Sequence, residues 1–270
     1  MSGFGILEPS WNLVDPGSAL TITSNNENAN LPASNLAFFD PSIFHRSNDL
    51  TTAQIIIDRG SPAPFDGVML KSHTITSSGT VRVTGDTGTG SIFTTPGHDS
   101  TALSPVFAGD LSSFTEVDFW YKAPTTQTYR YIGIEISDGS NPNGYFDIGS
   151  FIAGLIFTPR LGPNLGSSFG FSENTRKTKS VGGRNYTRRI RSDNIMNLVF
   201  PKNDMDDSIR FARLERTYGS DIPLVFKWEP KSGNYEQELI IFGRAQWPRN
   251  GLARLATGKR WDIEVGIEQF

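Results

Sequence analysis

The chain has 270 residues, with 25 Lys and Arg against 28 Asp and Glu, a net charge of −3. Hydrophobic residues are 37% and aromatics 11%, and the 27 Gly and 16 Pro point to one large or two ordinary domains cut by many turns. With no cysteine, three scattered histidines and no apolar run near the ~18 residues of a membrane span, composition excludes a disulfide scaffold, a cysteine nucleophile, an iron–sulfur cluster, a thiolate zinc site and an apolar helical span.

Charge is unevenly placed. Residues 1–165 hold seven basic and fifteen acidic side chains, net −8, and the remainder is +5. The split reads first as a domain signal, and second as a way for the two ends of identical subunits to attract one another. A charge of +5 over about a hundred residues is modest for nucleic-acid binding. Met1-Ser2-Gly3-Phe4-Gly5 lacks the basic region and apolar core of a signal peptide, so no secretion leader is expected.

Short apolar runs separated by turn clusters dominate the first half. They are Gln54–Asp58, Gly67–Leu70, Thr80–Thr84, Glu116–Tyr121 and Tyr129–Ile136. Val81/Val83 and Ile132/Ile134/Ile136 alternate with other residues, as half-buried strands do. Ser61-Pro62-Ala63-Pro64, Gly85–Gly90 and Ser137–Gly144 carry the Gly, Asn and Pro of turns. Many short strands with turns between them predict a sandwich or jelly roll.

Near Pro159–Ser168 the strand pattern stops, and Arg160–Ser168 reads as a linker. Beyond it, Asp204 or Asp206 is positioned to cap a helix from about Asp207 to Tyr218, with Gly219 as the stop. Ile209, Phe211, Ala212, Leu214 and Tyr218 would form its apolar stripe. Strands are expected at Asn194–Phe200, Ile222–Trp228, Gln237–Ala245 and Trp261–Ile267.

No set of residues marks a catalytic centre. Gly85-Asp86-Thr87-Gly88-Thr89-Gly90 has glycine spacing like a phosphate loop, but Ser91–Pro96 after it looks extended rather than helical, so a hairpin loop is the better reading. His45, His73 and His98 lack metal-ligand spacing and read as satisfied or solvated histidines. Asp206-Asp207 favours a helix N-terminus, and Glu236 with Glu238 reads as a solvated strand face rather than a glycosidase pair. Arg184–Arg191 is the densest basic segment; it reads as a solvated strand or intersubunit surface, with phosphate contact the alternative. The catalytic, cofactor-binding and metal sites are therefore all expected to be empty sets, and no cofactor is expected. Calcium held by oxygen ligands stays open.

Three stretches together resemble a galactose-binding-like (discoidin-type) jelly roll. The first is Asn30–Ala37 followed by Phe44-His45-Arg46-Ser47, with Phe44-His45 where Trp is common in the family. The second is Thr52–Gly60 with Phe65–Thr84, and the third Tyr129–Gly154. A jelly roll of this size before a smaller β-rich domain is similar to tail-tip, distal-tail and baseplate proteins of long-tailed bacteriophages. The resemblance implies an all-β fold: a jelly-roll sandwich over 1–165, then a tail-tube or distal-tail-like β domain with one flanking helix over 166–270. It also implies a non-enzymatic structural protein of a virion tail, made in the host cytoplasm. Its partners would be itself, as a ring-forming homo-oligomer, and other tail proteins of the tube, hub and fibres. DNA would be a partner only if the chain lines the tail channel. The alternative is a carbohydrate-binding module or adhesin for a host cell-surface glycan. The family's sugar-binding residues find no matching cluster of loop aromatics here, so none is carried over.

Overall fold

The structure is a computed structural model. It describes residues 4–12, 20–40, 42–104, 117–163, 167–179, 185–228, 240–247, 253–254 and 261–269, with backbone alone at 169, 171–179, 185–194, 201–202, 253–254 and 261–262. The chain divides into two compact units, one formed mainly by Leu7–Phe157 and one by Thr158–Lys227 and Ile241–Phe270. The division falls at 157/158, and residues 4–6 group with the C-terminal unit. Among the described residues both units are all-β apart from one α-helix and a short 3-10 turn at Ala33–Ala37.

The chain opens with β1 (Phe4–Leu7). The first unit then contains β2 (Thr21–Ser24), β3 (His45–Arg46), β4 (Ala53–His73), β5 (Thr80–Asp86), β6 (His98–Asp99), β7 (Val117–Ser137), β8 (Asp147–Gly154) and β9 (Ile156–Phe157). Its sheet has the order β3-β8-β4-β7-β5-β6, with β2 on β4. Four of the expected runs merge into two strands of 21 residues each, β4 and β7. Ser61–Pro64 is thus not a turn between strands. The ladder is interrupted just before and within it instead: pairing to β7 jumps from Asp58 to Ala63, and Pro62, inside the gap, has no N–H to give.

Each long strand contributes core residues from both halves. Ile55, Ile57, Phe65, Val68 and Leu70 of β4 share one cluster with Phe119, Tyr121, Ile132, Ile134 and Ile136 of β7. Inward residues from both halves meet only if the sheet folds over on itself, and that makes the unit a jelly-roll sandwich. Trp11 meets Phe65 edge-on in the same core, with ring centroids 5.6 Å apart.

The second unit contains β10 (Ser168–Lys179), β11 (Asn185–Asn203), α1 (Met205–Tyr218), β12 (Leu224–Trp228), β13 (Ile240–Gln246), β14 (Ala253–Arg254) and β15 (Trp261–Gln269). Its strands run in the order β10-β11-β15-β13-β12-β1, with β14 on β15. Met196, Leu198 and Phe200 alternate with less buried neighbours on β11, as do Ile263, Val265 and Ile267 on β15. Helix α1 starts at Asp204, whose carboxylate accepts the Asp207 N–H at 2.9 Å, and ends at Gly219 with φ of 55°. Its buried stripe is Ser208, Phe211, Leu214 and Tyr218. Ile209 and Ala212 are exposed, contrary to expectation, because the stripe follows 3.6-residue spacing from Ser208 and leaves both off it. Phe211 packs on Phe200 of β11 at 4.9 Å between ring centroids.

Candidate functional site: a cleft on the outer face of the sandwich

The outward residues of β4, β7 and β5 stand in rows set by strand register. Gln54 lies opposite Glu135, which lies opposite Arg82. In the next row Thr23 of β2 faces Ile56, then Gly133, then Thr84. Alternation puts Ile55 and Ile57 in the core and leaves Gln54 and Ile56 half-buried on the outer face.

The row with Gln54 is a continuous polar network. Gln54 Nε2 donates to Glu135 at 2.8 Å, and Arg82 Nη1 donates to the other Glu135 oxygen at 3.3 Å. Arg82 also makes a two-pronged bond to Asp99, at 2.9 and 2.7 Å, which holds the Asp99 carboxyl below its usual range. Arg82 Nη1 further donates to the Phe93 carbonyl at 3.1 Å, tying the segment after β5 down onto the sheet.

That segment was expected to be a hairpin loop running into an extended stretch. It is a compact turn instead. The Asp86 carboxylate accepts the Thr87 N–H at 2.6 Å and the Ser91 hydroxyl at 2.5 Å, and these bonds hold its pKa low. Thr94 and Thr95 N–H both donate to the Ser91 carbonyl, so 91–95 turns rather than extends. No helix follows, which removes the phosphate-loop reading.

Gly133 explains why the turn can lie so close. A Cβ there would sit 2.8 Å from Phe93 Cε1 and 3.0 Å from Ile92 Cγ1, and would also strike Thr84 Oγ1. Without that side chain, Ile92 and Phe93 settle on the sheet, and Ile92 is buried.

Between the turn and β2 lies a cleft of about 430 Å³. Thr23, Asn25 and Gln54 line the sheet side, Thr89 and Thr94 the turn side, and Phe93 with Ile56 gives it an apolar surface. No lining residue is charged. Asn25 is held by accepting the Gln54 N–H at 2.7 Å. Hydroxyls and amides that both donate and accept, beside one aromatic ring, suit a ligand with hydroxyl groups on an otherwise apolar ring.

The histidines are placed elsewhere and apart. His45 is buried on β3 with Nδ1 3.3 Å from the Leu31 carbonyl, and His98 Nε2 lies 2.9 Å from the Tyr121 hydroxyl. His73, at the end of β4, is wholly buried, and its Nδ1 accepts the Ile75 N–H at 3.2 Å; burial pushes its pKa down to about 4. Among the described residues, no group of three or more His, Asp or Glu is arranged to hold a metal ion, and no helix is long and apolar enough to cross a membrane.

Beside His73 is an ion pair that sequence reasoning missed. Lys71 Nζ donates to both Asp118 oxygens, at 3.0 and 2.9 Å, and both residues are buried. The only signal was a charge in each of two apolar runs, Leu70-Lys71 and Val117-Asp118. Asp206 and Asp207 sit in the first turn of α1, where Asp207 Oδ2 accepts the Arg160 N–H at 2.8 Å. Glu236, Glu238 and Arg184 lie outside the described residues.

No protein-family model and no curated protein matches the chain. Solved structures similar to it include carbohydrate-binding modules and a family 29 fucosidase, about a quarter of whose length is covered. One is the family 32 module of NanJ from C. perfringens in complex with galactose: 8% identity, 57% of this chain, 99% of that one, TM-score 0.39. Another is the fifth family 32 module of a family 89 enzyme from Clostridium perfringens, in complex with GalNAc-β-1,3-galactose: 10% identity, 55% and 99% coverage, TM-score 0.38. A third is chitosan-binding module 1 of a chitosanase/glucanase from Paenibacillus sp. IK-5: 19% identity, 50% and 93% coverage, TM-score 0.35. Nothing in these matches bears on a virion tail.

Proposed function

We propose that the sandwich unit is a glycan-binding module that holds a neutral sugar in the outer-face cleft. The observation that carries this is the cleft itself: about 430 Å³, uncharged, lined by hydroxyls and amides, with Phe93 as its one aromatic ring. A pyranose would lay its C–H face on Phe93 and direct hydroxyls to Gln54, Asn25 and the threonines. One Gln54 Nε2 hydrogen is given to Glu135, which leaves the second to donate and the carbonyl oxygen to accept from sugar hydroxyls. The test is a glycan array on the full chain, followed by calorimetry of the hits with Phe93→Ala. A hit weakened about tenfold or more in the variant supports the site. An array without a hit, or a hit that F93A leaves unchanged, overturns it.

A second reading is favoured by one feature of the other unit. β10 is the edge of its sheet, with no strand on its outer side among the described residues. An edge of 12 residues is an opening for a neighbouring copy. On that reading the chain is a structural, non-catalytic part of a phage tail tip, distal-tail or baseplate type, ring-forming and resident in the virion. The sandwich would then present its cleft to a host glycan. Light scattering and negative-stain images of concentrated protein test this; closed rings support it, and a monomer in the presence of candidate tube and hub proteins contradicts it.

A further inference from the structure

The pairing of β10 with β11 continues past the rest of the sheet. β15 joins β11 only from Ile195 onward, so from Phe171↔Asn194 to Lys179↔Asn185 the two strands pair with each other alone among the described residues. This two-stranded ribbon carries Arg176, Lys177 and Lys179 on one strand and Arg188, Arg189 and Arg191 on the other. Between Glu173 and Asp193 there is no acidic residue.

Register makes the charge concentrated rather than merely frequent. Arg176 lies directly opposite Arg188, and Thr175 opposite Arg189. Like charges directly opposite each other on a strand pair are destabilising, and the sequence between Glu173 and Asp193 supplies no acid to relieve them. An anion with regularly repeated charges would. The strand residues of this stretch include only Phe171, Tyr186 and Ile190 as large apolar side chains, too few for the apolar centre a stable protein–protein contact needs. A two-stranded β-ribbon is also of a size that the major groove of B-DNA admits.

We propose that this ribbon binds the phosphate backbone of double-stranded nucleic acid without regard to sequence. The proposal is independent of the glycan reading and uses the other unit.

The experiment is fluorescence anisotropy of a labelled duplex of about 30 bp with the full-length protein, titrated from ~50 to ~200 mM salt. If all six cations engage phosphates, log K falls against log salt with a slope of about −5, roughly 10³-fold over that range. Arg176→Glu then weakens binding by more than tenfold and flattens the slope, while the melting midpoint holds or rises, because Glu opposite Arg188 replaces a like-charge pair. Lys179→Gln, opposite Asn185, reads the same loss at a position without a like-charge neighbour and lowers the slope by about one. Absence of binding at the lowest salt overturns the proposal, as does binding that both variants leave unchanged. Salt-sensitive self-association that R176E abolishes, with no binding of the duplex, also overturns it and makes a second copy the occupant.

Discussion

Phe93, Gln54 and His73 illustrate how differently single residues disclose themselves. Phe93 sits in Ser91–Pro96, a stretch whose composition looks extended, and only the Asp86 and Ser91 hydrogen bonds reveal the turn that brings it to the cleft. Gln54 was legible as a strand residue, but its place in the cleft depends on β2 and the 87–95 turn, which no local pattern connects. His73 was legible as a strand-end histidine with a structural role. Its folded pKa of about 4 lies below the ordinary 6.5, so the unfolded chain takes up a proton first as pH falls. Its contribution is therefore fully present above about pH 7 and is lost between there and pH 4, up to about 3 kcal/mol. His45 and His98, also lowered by burial, act in the same direction. Denaturant unfolding of wild type and His73→Gln at pH 7.5 and 5 should show a smaller pH-dependent loss in the variant; an unchanged loss would assign it elsewhere.

Among the elements, α1 was the most readable, because capping and termination are local. Asp204, the first-turn acids and Gly219 all stand where their chemistry is needed. Asp204→Ala removes the acceptor for the Asp207 N–H and should cost about 1 kcal/mol, read as a lowered denaturation midpoint. The long strands were less readable. The β4–β7 ladder is interrupted at Asp58/Ala63 and Phe65/Gly67, and such interruptions depend on the partner strand. The same non-local dependence applies to Gly133, which looks like a weak point of a strand and is in fact the seat of Ile92 and Phe93. Gly133→Ala should destabilise by about 1–3 kcal/mol and weaken sugar binding together, since Phe93 has to move. A variant that loses stability but binds as before would detach the cleft from the turn.

At the scale of the molecule, the all-β architecture was legible from turn density and strand alternation. The expectation of two domains rested on the reversal of net charge from −8 to +5 and the loss of strand pattern near 159. What the sequence did not disclose is that residues 4–6 group with the C-terminal unit, since strand order across a sheet leaves no periodic trace. Every residue of the cleft lies within 7–157, so that fragment should bind the same glycans as the full chain with a Kd within about twofold, measured by calorimetry. The claim that this outer-face cleft is a sugar site is tested most directly by chemical-shift mapping of the full chain with a glycan-array hit. The account predicts that the shifts concentrate on Thr23, Asn25, Gln54, Thr89, Phe93 and Thr94 and disappear in F93A. Shifts confined to the Ala33–Phe44 and Ser137–Gly144 segments, with the cleft silent, would contradict it.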